Sequence, residues 1–380
     1  MRLLALSPSL HLWLVTLAAL LTLSGCGGSN QSSCPLSSAC GCSTAIACSV
    51  QSYVFAATKA GGVLALPVAQ NGGLGTPFSL PGPNLPGGIS TSPPLRELFV
   101  SDHVMNKLYA YTTGPLAAAP GSPYSLAASN GFLEGVAATP NGKFVYVVGL
   151  AGTISGFSIS SDLSLTPIPG SPFPVTAQSV AAATETSSKF LFVVNSSSVS
   201  AFTIDSATGA LAAAGTPIAL SASALPTPEM AATAPVSNFL YVAVNGTNHV
   251  DAFSFDVNTG VLTTLNGSPF LVGTEPSALT MTTSTLYVID SLSGTISARA
   301  WDKNTGALSE VIGSPFSAPY GGGVTSLNGQ YLYVTSANNV LPPFVNEILG
   351  FSVDSSGTLT PLGGSPFSSS APLWGGLVAF

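Results

Sequence analysis

Three glutamates occupy a repeated position in the sequence and are the strongest candidates for a binding site. Glu134, Glu229 and Glu275 each lie twelve residues before a tyrosine that is followed by valine. Carboxylates gathered at an open cavity can coordinate a cation or accept hydrogen bonds from the hydroxyl groups of a sugar. The alternative is that each carboxylate caps its own loop by accepting backbone N–H groups.

Further polar and aromatic side chains fall near the same positions of the repeat. Tyr320 and Trp374 stand at neighbouring positions in other repeats. His103 and His249 lie in predicted loops, and a solvated loop residue is the alternative to a ligand-binding or catalytic histidine. Neither histidine has a motif partner and no Gly-x-Ser-x-Gly segment is present, so a nucleophilic triad has no support. We expect neither a metal nor an organic cofactor.

The elements that position these residues follow from a seven-fold repeat. Its clearest marker is a Gly-Ser-Pro-aromatic turn or a close variant, which starts at residues 75, 121, 170, 215, 267, 313 and 364. A second marker is an alternating aromatic and β-branched segment such as Tyr146-Val147, which is typical of a buried strand. A small-residue strand precedes it, and an Asp with Thr-Gly or Ser-Gly makes a turn after a third strand. Four strands per repeat, with small residues innermost, predict a blade of a β-propeller.

The two ends of the chain decide whether the predicted ring closes. The first repeat begins at its second strand, over residues 52–57, and lacks a first strand. Residues 373–380 follow the last complete repeat and have the character of an inner strand. We therefore predict an all-β, seven-bladed propeller of four-stranded blades, closed by a C-terminal strand that completes the first blade.

Composition excludes several classes of protein. Charged residues make up 6% of the chain, with 8 Lys and Arg against 15 Asp and Glu, whereas about 25% is usual. Nucleic-acid binders need clustered basic residues, so we expect no nucleic-acid partner. Disordered chains combine low hydrophobicity with high charge, and this chain is 46% hydrophobic.

The N-terminus has the pattern of an export signal with a lipid attachment site. The apolar stretch over residues 10–23 is shorter than the roughly 20 residues that a transmembrane helix needs. It ends in Leu23-Ser24-Gly25-Cys26, which resembles the bacterial lipobox, where the cysteine is diacylated. We expect a signal peptide over residues 1–25, a lipidated tether over 26–50 and the propeller over 51–380. An exported lipoprotein of the cell envelope, held to the membrane through Cys26, is the predicted location.

Four more cysteines lie in the tether, at Cys34, Cys40, Cys42 and Cys48. In an exported chain they favour two disulfides, and of the three pairings the one that joins Cys40 to Cys42 is strained. A four-thiolate metal site is the alternative, but the spacing and the oxidising compartment disfavour it.

The repeats resemble those of the lactonase-type seven-bladed propellers with Tyr-Val-Thr-Asn repeats. The motif is carried here by Tyr333-Val334-Thr335-Ser336 and by Tyr241-Val242-Ala243-Val244-Asn245. The resemblance implies a lactone-opening activity of the 6-phosphogluconolactonase type, or that of a lactone-forming isomerase. It also implies an Arg-His pair and an Asn-Glu pair at the mouth of the ring. This sequence departs from both pairs, for example at Asn195-Ser196, where the Asn-Glu pair is expected.

Two function classes therefore remain. The departures from the family pattern and the shortage of cationic residues favour a lipid-anchored scaffold that presents a carbohydrate, small-molecule or protein ligand site at the mouth of the channel. The alternative is an enzyme that hydrolyses or isomerises a lactone with an acidic site of its own.

Overall fold

The computed structural model describes residues 52–380 apart from positions 93, 127–130, 176–177, 222–227, 234–236, 245 and 339–344. These residues belong to a compact unit that spans residues 49–380. Every regular element in the described part is a β-strand, and no helix there is long and apolar enough to cross a membrane. The predicted signal peptide, Cys26 and the four tether cysteines lie outside the described residues.

The strands form seven antiparallel sheets, which are the seven predicted blades. The first strands, taken from blade 1 to blade 7, are Leu373–Ala379, Pro86–Ser92, Leu133–Ala138, Ser179–Thr184, Pro228–Thr233, Pro276–Met281 and Gly321–Leu327. The second strands are Tyr53–Thr58, Glu97–Asp102, Phe144–Gly149, Phe190–Asn195, Phe239–Val244, Thr285–Asp290 and Tyr331–Asn338. The third strands are Val63–Pro67, Lys107–Thr113, Thr153–Ile159, Ser198–Ile204, His249–Phe255, Thr295–Trp301 and Val345–Val353. The fourth strands are Phe78–Leu80, Leu116–Ala118, Leu165–Pro167, Leu211–Ala213, Leu262–Thr264, Leu308–Glu310 and Leu359–Pro361.

The first strands line the centre of the ring, because each contacts the first strands of the two neighbouring blades. Small residues are needed there. A Cβ atom on Gly88 in blade 2 would lie 2.6 Å from the backbone nitrogen of Val136 in blade 3. The apolar core is divided into clusters between successive blades, such as the one that joins Phe99 and Leu108 of blade 2 to Val145 and Val147 of blade 3. The predicted fold is confirmed.

The Gly-Ser-Pro-aromatic turn adds a short strand that the sequence did not predict. In six blades a fifth strand of two residues starts at the aromatic or Ile position of the motif and pairs with the third strand, beyond the end of the fourth. These strands are Tyr124–Ser125, Phe173–Pro174, Ile218–Ala219, Phe270–Leu271, Phe316–Ser317 and Phe367–Ser368. The serine of the motif lies in the turn between the fourth and fifth strands, and its Oγ accepts a hydrogen bond from a backbone N–H of the third strand. For example, the Gly156 N–H donates to Ser171 Oγ at 2.9 Å. The serine thus satisfies a donor that the sheet leaves open.

Second-strand tyrosines of blades 3, 5, 6 and 7 connect their blade to the next one. The hydroxyl of Tyr146 donates to the carbonyl of Gly209, in the outer turn of the following blade, at 2.8 Å. Tyr241 and Tyr287 make the same bond further along the ring. Gly209 has φ 75°, and a Cβ there would lie 2.6 Å from the Phe144 ring. Only glycine therefore fits this turn.

The ring closes as predicted, and it does so through two separate contacts. The strand Leu373–Ala379 pairs antiparallel with Tyr53–Thr58 and becomes the first strand of blade 1. In addition, the Tyr333 hydroxyl of blade 7 donates to the carbonyl of Gly72 in blade 1 at 2.8 Å. The second contact repeats the bond that Tyr146, Tyr241 and Tyr287 make at three other junctions.

Glu97 is an exception in this apolar framework. It begins the second strand of blade 2 and is fully buried, where blades 3 and 4 carry Phe144 and Phe190. Among the described residues, neither carboxyl oxygen has a hydrogen-bond partner, and neither does Oγ of Ser92, which faces Glu97 across the hairpin. Burial raises the pKa of the Glu97 carboxyl from 4.5 to about 8. The folded protein therefore favours the protonated acid at neutral pH.

Deletion of residues 373–380 should destabilise the whole ring. The truncation removes backbone hydrogen bonds worth about 0.5–1.5 kcal/mol each. It also exposes Tyr53–Thr58 and forfeits the burial of Leu373 and Leu377, about 1.5–3 kcal/mol each. The sum approaches a typical total stability of about 5–15 kcal/mol. Thermal unfolding measures the loss. The single change Tyr333→Phe keeps the strand and should cost about 1–3 kcal/mol. An unchanged Tm after truncation would contradict closure by this strand.

Stability should depend on the ionisation of Glu97. Because its folded pKa of about 8 exceeds the unfolded value of 4.5, its contribution is complete below pH 4.5 and is lost as the pH rises towards 8. Relative to wild type, Glu97→Gln should gain roughly 2–4 kcal/mol in unfolding free energy between pH 5 and pH 8. Urea unfolding at both pH values measures this difference. The exposed control Glu310→Gln should show no such change, and equal behaviour of the two variants would refute the prediction.

Candidate functional site

A ring of backbone hydrogen bonds shapes one face of the propeller. In six blades, a backbone N–H at the end of the second strand donates to the carbonyl of the residue just before the first strand, as His103 does to Leu85 at 2.7 Å. The donor is the residue that follows the second strand in five of these blades. In blade 7 it is the last residue but one of the second strand. The loops between second and third strands are thereby fastened to the loops that enter the channel. We call the six accepting residues the collar. The collar residues are Leu85, Phe132, Gln178, Glu275, Tyr320 and Pro372.

The three glutamates do not share one position, so the predicted register was wrong for Glu275. Glu134 and Glu229 are each the second residue of a first strand, at the point where the register shifts. Glu275 instead precedes its first strand and belongs to the collar. The reason is a shorter turn between first and second strands in blade 6, from Met281 to Thr285. The side chain of Glu229 lies outside what the structure describes.

His103 and Glu134 form a pair across the junction of blades 2 and 3. His103 Nδ1 lies 3.4 Å from Glu134 Oε1, and the two side chains are 25% and 28% exposed. The His103 ring also stacks on Phe132, with centroids 4.8 Å apart and planes 6° apart. A carboxylate, an imidazole and an aromatic ring are thus held together and remain open to solvent. The β-bulge at Glu134 turns this side chain out of the regular alternation of its strand.

The carboxylates at the ends of second strands have a structural role. Asp290 is fully buried and accepts hydrogen bonds from the Gly273 N–H at 3.0 Å and from the Thr295 and Ser297 hydroxyls. Burial raises the pKa of Asp290, and these hydrogen bonds oppose the rise. Asp102 likewise accepts from the N–H of Asn84 at 2.8 Å. Both residues fasten loops that surround the channel mouth.

The remaining candidates are dispersed. His249 begins the third strand of blade 5, and its buried Nδ1 has no hydrogen-bond partner in the part of the chain that the structure describes. Tyr320 is 47% exposed in the collar of blade 7. Trp374 lies in the first strand of blade 1, and its side chain is outside the described part. Within the described residues, no group of three or more His, Cys, Asp and Glu side chains could hold a metal ion.

Sequence reasoning missed Phe132 and Gln178. Both immediately precede small-residue inner strands, and that position is the signal that would have found them. The structure adds what the sequence could not, namely that Phe132 packs against a histidine from the neighbouring blade.

The comparison with protein families decides the assignment of the chain. The model of the family described as lactonase, seven-bladed β-propeller, matches residues 140–372. The chain belongs to this lactonase family. Among the curated proteins, none matches the sequence.

Solved structures share the fold of this lactonase-family propeller. The periplasmic gluconolactonase of Pseudomonas aeruginosa is 15% identical, with a TM-score of 0.68 over 85% of this chain and 98% of that one. A candidate 6-phosphogluconolactonase from Bacteroides uniformis is 16% identical, with a TM-score of 0.68 over 87% of this chain and 100% of that one. A functionally unknown protein from Desulfotomaculum acetoxidans is 18% identical, with a TM-score of 0.65 over 86% and 98%. At these identities the likeness establishes the fold alone.

Proposed function

We propose that this lactonase-family propeller is a lipid-anchored protein of the bacterial cell envelope that binds a hydroxylated small molecule or sugar at the channel mouth. The observation that supports the proposal is the pair of His103 and Glu134, 3.4 Å apart and partly open to solvent, beside the ring of Phe132. The carboxylate accepts hydrogen bonds from hydroxyl groups, the imidazole can donate or accept, and the ring offers an apolar face. A compact polyol presents all three complementary features.

Charge favours an uncharged ligand. The chain carries 15 acidic against 8 basic residues, and the site itself is built around a carboxylate. A phosphorylated sugar needs cationic groups to offset its charge. An uncharged sugar or sugar lactone needs none.

A second candidate function is hydrolysis of such a lactone. Glu134 faces Nδ1 of His103, which favours a proton on Nδ1 and leaves Nε2 as a general base. Nε2 would take a proton from water while the water oxygen attacks the lactone carbonyl carbon. The ring C–O bond then breaks, and the leaving alkoxide takes the proton back from the imidazolium. Membership of the lactonase family supports this candidate.

One experiment with D-glucono-1,5-lactone and D-glucose tests both candidates. Saturation-transfer NMR should detect binding to the wild-type protein. It should also show about a tenfold or greater loss in His103→Ala and Glu134→Gln, since each removes a polar partner. Glu310→Gln, in the exposed fourth strand of blade 6, is the matched carboxylate control and should bind normally. Lactone opening above the buffer rate that disappears in His103→Ala would establish the hydrolase. Absence of both binding and opening would contradict both candidates.

The location in the envelope is supported by the residues Leu23-Ser24-Gly25-Cys26 and by the apolar stretch before them. A diacylated Cys26 would anchor the propeller without a spanning helix. The tether would carry two disulfides among Cys34, Cys40, Cys42 and Cys48, as an oxidising compartment permits.

Replacement of Cys26 by serine should release the protein from membranes. The physical reason is that acyl chains are the proposed attachment, and serine cannot accept the thioether-linked lipid. Membrane fractionation after a salt wash measures the effect, and Cys34→Ser serves as the cysteine control that stays bound. Continued membrane association of Cys26→Ser would refute lipidation as the anchor.

A further inference from the structure

The collar places four chemically distinctive side chains at one structurally equivalent position. Phe132, Gln178, Glu275 and Tyr320 belong to blades 3, 4, 6 and 7, and each accepts through its backbone carbonyl the same bond from its own blade. Because the backbone is fixed in this way, the side chains start from a common level around the mouth of the channel. They form a ring of two aromatic rings, one amide and one carboxylate.

The aromatic members of the collar are unusually exposed. Phe132 is 52% exposed and Tyr320 is 47% exposed, although folding normally buries large rings. Phe132 is held in place by its stacking on His103. An exposed ring whose orientation is fixed is suited to contact a flat apolar surface of a ligand.

Two collar residues also adopt a backbone conformation that side chains rarely accept. Glu275 has φ 56° and Tyr320 has φ 57°, in the left-handed region where glycine or asparagine is usual and other residues cost about 1 kcal/mol. The Ser291 N–H and hydroxyl both donate to the Glu275 carbonyl at 2.9 Å, and the Ala337 N–H donates to that of Tyr320 at 3.1 Å. These bonds hold a costly conformation at two residues of the channel mouth, of which Glu275 is half-buried and Tyr320 is exposed. Strain of this kind is common where a side chain serves a ligand.

We propose that the collar binds an uncharged carbohydrate chain of several sugar units. Sugar rings have apolar C–H faces that stack on aromatic side chains, and hydroxyl edges that hydrogen-bond to planar amides and carboxylates. Phe132 and Tyr320 provide the faces, and Gln178 and Glu275 provide the polar partners. Glu275 and Glu134, which lie on the same face in blades 6 and 3, disfavour an anionic polymer by like-charge repulsion.

The length of the ligand follows from the placement of the rings. Phe132 belongs to blade 3 and Tyr320 to blade 7, and these blades are not neighbours in the ring. A single sugar cannot stack on both rings, whereas a chain that crosses the channel mouth can. Binding should therefore strengthen with chain length. This inference rests on the proposed ligand site, because Phe132 is also the ring beside His103.

The alternative ligand of this face is a protein, and Leu292 distinguishes binding of a protein from binding of a carbohydrate chain. Leu292 lies in the loop between second and third strands of blade 6 and is 67% exposed. Its N–H donates to Thr274, next to Glu275, at 3.3 Å. Docking of a protein by apolar burial would use this aliphatic side chain, whereas stacking on sugar rings would not.

The test is isothermal titration calorimetry of the full chain carrying Cys26→Ser with cellohexaose, maltohexaose and chitohexaose, and with the corresponding monosaccharides. At least one hexasaccharide should bind about tenfold or more tightly than its monosaccharide. Phe132→Leu and Tyr320→Leu keep an apolar side chain but remove the ring, and each should weaken binding about tenfold. Leu292→Ala should bind as wild type does, and Phe132→Tyr, which keeps an aromatic ring, should lose much less affinity than Phe132→Leu. Circular dichroism and thermal unfolding confirm that each variant is folded.

Several results would overturn the proposal. Failure of all three hexasaccharides to bind would refute it, as would equal affinity for monosaccharide and hexasaccharide. Equal effects of Phe132→Leu and Leu292→Ala would indicate apolar docking and would also refute it. If glucono-1,5-lactone binds but no hexasaccharide does, carbohydrate-chain binding at the collar is refuted, whereas the proposed site at His103 and Glu134 stands. Loss of both ligands would refute the two together.

Discussion

Packing between successive blades is the constraint on which the ring depends. At four of the seven junctions it includes a hydrogen bond from a second-strand tyrosine hydroxyl to a glycine carbonyl of the next blade. This bond explains two separated sequence motifs as halves of one interaction. The Tyr-Val segment supplies the donor, as at Tyr241 and Tyr287, and the outer turn of the following blade supplies the acceptor at Gly306 and Gly357. Burial raises the pKa of Tyr287 to about 12, so the hydroxyl stays protonated and able to donate.

The outer turn that receives this bond is itself built from side-chain hydrogen bonds. Asp205 accepts from the backbone N–H and hydroxyl of Thr208, which hold the pKa of its carboxyl below the ordinary value. Gly209 follows at positive φ and presents its carbonyl to Tyr146. The charged residues of this chain are few, and several of them serve such turns. Others, such as Asp290, fasten the loops at the channel mouth.

Contacts between blades also create the candidate site. His103 comes from blade 2 and Glu134 from blade 3, so their pairing requires the two blades to keep a fixed relation. The closed ring provides that relation, because it leaves no free edge at which the first and last blades could separate. The candidate site and the stability of the propeller thus depend on the same interblade packing.

The sequence by itself determined the blade count, the strand types and the closing strand. These features depend on local alternation, turn residues and a repeat that is visible in one dimension, as in Tyr146-Val147 and the Gly-Ser-Pro turns. It also identified Glu134 and His103 as residues of the channel face. It misplaced Glu275, because a turn two residues shorter in blade 6 shifts the register without any mark in the repeat spacing.

Tertiary structure alone decided which side chains meet. The stacking of Phe132 on His103 joins residues that the sequence assigns to different blades, and no periodic pattern records the angle between two blades. The burial of Glu97 could not be predicted from the sequence either. A glutamate in a strand has the same sequence pattern whether its side chain faces solvent or packs against the neighbouring blade. Local propensities set the elements, whereas contacts between elements set the site, and those contacts exist only once neighbouring blades have packed together.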